Sequence, residues 1–176
     1  MEKIVDWNLI SGVSSAIIAL CALGLTIQQT RISQRHNKLS VQPHLTTWIH
    51  SDHSSHFYTV DLLNNGIGPA FIKEFKILID GQPLTGEGTE PIEKALKVLF
   101  PNYQYTSRQA FVDAGYSMAV NETRQVAIVK FEGINLPTPE EVEQSIKRAS
   151  LLITYTSIYD EIFKLDSNSL KSNPSY

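Results

Sequence analysis

The sequence predicts a mainly β protein, with an N-terminal transmembrane helix followed by an antiparallel, immunoglobulin-like β-sandwich carrying one or two helical insertions. Three observations predict it. Residues Leu9 to Ile27, LISGVSSAIIALCALGLTI, contain no charge and no proline, and as a helix this run is about 28 Å long, close to the hydrocarbon thickness of a bilayer. From Val41 onward the apolar residues alternate in short runs separated by glycine, asparagine and aspartate, the pattern of strands joined by turns. Only two later segments have helical spacing, too few to link the strands of a parallel sheet. The expected organisation is a span and basic arm over 1–40, a sandwich over 41–166 and a disordered tail over 167–176.

Within the span, serine hydroxyls can bond back to carbonyls one turn earlier, so the serines are tolerable in lipid. Trp7 stands at the entry, where an amphipathic ring favours the interface. A cleaved signal peptide is not expected, because Glu2 and Asp6 oppose Lys3 in the leading segment and no A-x-A site follows. A lipoprotein is not expected either, since Leu20 precedes Cys21 where a small residue is needed. Arg31, Arg35 and Lys38 follow the run, with His36 among them, against one lysine before it. The positive-inside bias places the N-terminus outside and the C-terminal domain in the cytosol, as a single-pass protein. These cations also suit anionic lipid headgroups. Ser11, Ser15 and Ala19 recur every four positions, as do Gly12 and Ala16; such stripes let helices approach closely in lipid, so self-association is expected through them.

Beyond the span, QQTRISQRHNK continues the helix, and Pro43 ends it. Leu45, Thr47 and Ile49 alternate with Thr46 and Trp48, and FYTVDLL (57–63) makes a second strand, the two joined by the loop HSDHSSH. NNGIGP (64–69) is a turn in which Gly66 and Gly68 are expected at positive φ. AFIKEFKILID (70–80) is a long strand with a possible bulge, closed by Asp80-Gly81. Pro91 opens a helix carrying Ile92, Ala95, Leu96 and Leu99, and Pro101 closes it. Residues 103–115 read as a loop or a second short helix, 116–120 as a strand, and QVAIVKF (125–131) as another strand. Thr138 and Glu141 have capping-box spacing for a helix to about Arg148. Residues 151–156 and 161–165 form a closing hairpin.

The net charge of −3, from 15 Lys plus Arg and 18 Asp plus Glu, gives no broad basic surface, so direct nucleic-acid binding is not expected. One cysteine excludes an internal disulfide framework and a cysteine-based zinc site. His44, His50, His53 and His56 lie close together, and His53 and His56 with Asp52 could serve as zinc or nickel ligands. Their spacing matches no helical H-x3-H face and no thiolate assists, so a histidine-rich loop without metal or cofactor is expected. NNGIGP lacks the Gly-Lys-Ser/Thr ending of a phosphate loop, and no G-x-S-x-G elbow is present. Glu140, Glu141 and Glu143 suit a solvated helix face, and Asp160 and Glu161 suit a turn. Tyr103, Tyr105, Tyr155, Tyr159 and Phe163 read as strand packing. An enzyme is not expected.

The span, then R-x3-RHNKLSVQPHL from Arg31, LNNGIGPAFIKEFKILIDG from Leu63 and ITYTSIYDEIF from Ile153 form a recognisable outline. It resembles bacterial membrane-anchored β-sandwich proteins, and is similar overall to the transmembrane effectors of anti-phage defence systems, retron-associated ones included. The resemblance implies a toxin effector of abortive infection. A sensor complex, a cytosolic protein or ribonucleoprotein, restrains it until phage interference releases it to damage the inner membrane. The alternative from the residues themselves is a tethered adaptor whose sandwich recruits a cytosolic partner.

Overall fold

The computed structural model describes residues 7–168, with side chains of the first helix described from Ile10. The charged leading segment and the tail beyond Asn168 therefore lie outside the described residues, as does the side chain of Trp7 with its expected interfacial role. The chain divides into two units at Ser40/Val41.

The first unit is one helix, α1 (Trp7–Leu39), which continues without interruption from the apolar run into the basic arm. It is the one helix among the described residues that is long and apolar enough to cross a membrane, and it is exposed throughout. Hydroxyls of Ser15, Thr26 and Thr30 donate to the carbonyls of Ser11, Ala22 and Thr26, each at 2.8 Å, so these polar groups need no outside partner.

The second unit is a two-sheet sandwich. Strands β1 (Leu45–Asp52), β2 (Phe57–Asn64), β3 (Ala70–Ile79) and β4 (Gln82–Pro83) precede helix α2 (Glu90–Leu99). Strands β5 (Gln104–Gln109), β6 (Ser117–Met118) and β7 (Thr123–Glu132) lead to helix α3 (Pro139–Lys147), and β8 (Ala149–Thr156) with β9 (Ile162–Asp166) close the fold. One sheet has the order β1-β2-β7-β5 and the other β4-β3-β8-β9, with β6 added beside β3. All pairings are antiparallel. Read as A-B-E-D against C′-C-F-G, this is the immunoglobulin arrangement, with α2 inserted between C′ and D and α3 between E and F.

The alternation seen in the sequence becomes the core. Leu62, Ile72, Met118 and Ile153 are fully buried between the sheets. Ile92, Ala95, Leu96 and Leu99 are the buried face of α2. α3 starts at a complete capping box, with the Thr138 hydroxyl accepting the Glu141 N–H and the Glu141 carboxylate accepting the Thr138 N–H. Phe131 is an aromatic hub, with Tyr58, Phe100, Tyr103 and Tyr105 meeting it edge-on at 4.9–6.1 Å. Tyr155 stacks on Phe163 at 5.6 Å and its hydroxyl accepts the Leu45 N–H. The expected bulge in β3 falls between Ile72 and Glu74, and Asp80-Gly81 forms the tight turn with both φ values positive.

Two expectations change. Residues 104–109, read as loop or helix, form strand β5 along β7. Gln-Tyr-Thr-Ser-Arg-Gln is a mostly exposed edge strand with no apolar alternation, so its partner, not its own pattern, makes it a strand. Gly66 and Gly68 are not among the glycines at positive φ. They are required instead by close approach: a Cβ on Gly68 would lie 1.7 Å from the Val41 carbonyl oxygen, and one on Gly66 2.3 Å from the His44 nitrogen.

Asn64 completes this junction, fully buried. Its side-chain oxygen accepts the His44 and Gly66 N–H groups at 3.1 Å, and its amide donates to Gly68 at 2.9 Å and Ala119 at 3.1 Å. Ser167 is also buried, its hydroxyl accepting the Leu151 N–H at 2.8 Å, so it packs with the sandwich. Gly68→Ala is expected to lower sandwich stability by about 1–3 kcal/mol by forcing the chain entry aside, and Asn64→Ala by at least about 1–3 kcal/mol by orphaning buried N–H groups. Denaturant unfolding of the solubilised full chain measures both; unchanged midpoints would contradict this reading of the junction.

Candidate functional site

The residues expected to associate, Ser11, Gly12, Ser15, Ala16 and Ala19, are all exposed on α1. At about 100° per residue they fall within about 140° of arc, so the two short stripes are one face. Ala22 and Thr26 continue that face toward the C-terminal half. They escape a strict search at four-residue intervals, because an alternation of three and four is what keeps a helical face straight. Gly12 has nothing within 4 Å of a built Cβ, leaving its backbone open to a neighbour.

Arg31, Arg35 and Lys38 sit farther along the same helix. Continued at the same pitch they occupy about 60° of arc, centred about 140° from the small-residue face. Two helices packed through the small face would therefore keep these cations apart, where like charges do not oppose contact. His36 and Lys38 lie in the last turn, where positive charge also complements the helix dipole.

The histidines do not converge. The β1–β2 hairpin has a tighter connection than the loop expected, because His50, Ser51 and Asp52 belong to β1, and Asp52 pairs with Phe57. His50 points toward Asp61 with Nε2 3.7 Å from the carboxylate. His53 places Nδ1 3.5 Å from the Tyr58 hydroxyl. His56 holds φ at 53° while its carbonyl accepts the Phe131 N–H. Among the described residues no three of His, Cys, Asp and Glu come together as metal ligands. Asp52 is occupied by the turn: its carboxylate accepts the Ser54 N–H at 3.0 Å and the hydroxyls of Ser54 and Ser55 at 2.6 and 2.7 Å. The Ser54 hydroxyl, then that of Ser55, lower its pKa to about 2.

The carboxylates of α3 are placed as a solvated face: Glu143 pairs with Lys147 at 2.8 Å and Glu141 caps the helix. Asp160 forms the β8–β9 turn at φ 57°. Arg148 grips Asp80 with two nitrogens, tying the α3–β8 junction to the β3–β4 turn.

No protein-family model matches the chain, and no curated protein matches it either.

Because the Asp52 pKa is depressed in the fold, its contribution to stability is present above the unfolded value of about 3.9 and is lost as pH falls toward 2. The stability difference between the wild type and Asp52→Ala is therefore expected to be constant from neutral pH to about 5 and to shrink below 4. Thermal unfolding across that range measures it; a difference independent of pH would show that the charge of Asp52 does not hold the turn.

Proposed function

We propose that this protein is a single-pass inner-membrane effector of bacterial anti-phage defence, its N-terminus outside and its sandwich in the cytosol. Released from a restraining cytosolic partner, it impairs membrane integrity through associated α1 helices. The observation that carries the reading is the face of α1. Seven small or hydroxyl residues, from Ser11 to Thr26, lie within about 140° of arc, which also holds Leu23, while Val13, Ile17, Ile18, Leu20 and Leu25 lie outside it together with Ser14, Cys21 and Gly24. One span cannot enclose a pore, so membrane damage requires several copies, and this face is where backbones can approach. The defence role rests on the overall likeness of the chain to such effectors. The orientation rests on Arg31, Arg35 and Lys38.

A second reading, a tethered adaptor, is favoured by β1. It is an edge strand of its sheet and exposes Trp48 and Ile49, an arrangement suited to a partner strand adding alongside.

Membrane potential and viability of bacteria expressing the chain separate the two. For the effector, the intact chain depolarises the cell, while deletion of residues 1–30, Gly12→Leu or Ala16→Leu each abolishes the effect by blocking close approach. Polarised, growing cells with a correctly inserted chain, both alone and with its neighbouring genes under phage challenge, would favour the adaptor.

A further inference from the structure

The two sheets do not close completely. At the end of the sandwich capped by α2 and α3, a cavity of about 130 Å³ remains between them. Ile77, Ile92, Leu96, Val126, Val129 and Val142 contribute its apolar wall. The few polar residues at its edge include Ser150 and Ser167, and the Ser167 hydroxyl is already engaged by the Leu151 N–H. Its lining offers water few partners, and an apolar cavity of about 150 Å³ is known to accept benzene. Its size suits about six carbon atoms.

The cavity has a polar vestibule. A depression on the surface between β1 and α3 shares Ile49, Tyr58, Val142 and Ile146 with it, so the two adjoin. Pro139 and the polar side chains of Ser51, His53, Glu140, Glu143 and Lys147 complete the depression. Lys147 is neutralised by Glu143 at 2.8 Å, and Glu140 adds a negative charge. The Tyr58 hydroxyl stands at the boundary 3.5 Å from His53, and burial, then the charge of Glu140, raise its pKa, so it remains a neutral hydrogen-bonding group.

We propose that this cavity and its vestibule form a binding site for a small amphiphile, with a six-carbon apolar group between the sheets and a neutral or cationic polar end beside Tyr58 and Glu140. An anionic end is disfavoured by the excess carboxylate at the vestibule. The site is independent of the helix face that carries the proposed function, and its test does not depend on toxicity.

The experiment uses the full chain in lipid nanodiscs with ¹³C-labelled isoleucine methyls, titrated with 1-hexanol, hexylamine and hexanoate. The methyls of Ile77 and Ile92 are expected to shift saturably with the alcohol and the amine, while hexanoate binds at least about tenfold more weakly. Ala127→Leu, which fills the cavity from β7, or Ala95→Ile, which fills it from α2, should remove the saturable shift. The wild-type titration decides even if neither variant folds, because the shifted methyls report the location directly. Shifts that are absent, or linear with concentration as lipid partitioning gives, would overturn the proposal. So would shifts that persist in a folded, filled variant, or hexanoate binding as tightly as the amine.

Discussion

Ten large apolar side chains of α1, from Ile10 to Leu39, are exposed. Each buried methylene is worth about 0.8 kcal/mol in transfer from water, so a surface of this size requires an apolar surrounding. That requirement governs the reading of the chain. It explains why hydroxyls in α1 turn back onto its own carbonyls and why charge begins only at Arg31. It also means that whatever the sandwich does is done by a domain joined to this helix through a short connection.

That connection is built firmly at its sandwich end. Val41, Pro43 and His44 run against the 64–69 turn, where Gly68 and Gly66 leave no room for a side chain and Asn64 bonds to both segments. A buried amide with its donors and acceptors satisfied costs little and fixes one geometry. The first residues of the second unit are thus held by backbone contact and by hydrogen bonds through a single side chain.

Much of this was legible in the sequence, for physical reasons. The span declares itself by length and the absence of charge. The hairpins do so by alternation and by Asp80 and Gly81 at positions needing positive φ, and α3 by Thr138 and Glu141. The misses have equally definite causes. β5 is stabilised by β7 and by Tyr105 against Phe131, interactions between residues distant in sequence. Glycine carries two meanings, backbone freedom and absent volume, and NNGIGP alone does not distinguish them. On the helix, the small-residue face was visible as two stripes; their union with Ala22 and Thr26, and the opposite placement of the cations, emerge once the residues are set on one continuous helix. The cavity depends on how α2 and α3 cap the sheets, and no local pattern encodes that.

In the proposed effector, copies of α1 meet through one defined face. The native Cys21 lies about 150° around the helix from the centre of that face, and Ser15 lies within it. Oxidative cross-linking in native membranes can therefore compare the wild-type chain with Ser15→Cys in a Cys21→Ser background. A covalent dimer is expected from the cysteine at position 15 and little from Cys21. Cross-linking through Cys21 alone, or none at position 15 in a properly inserted chain, would contradict it.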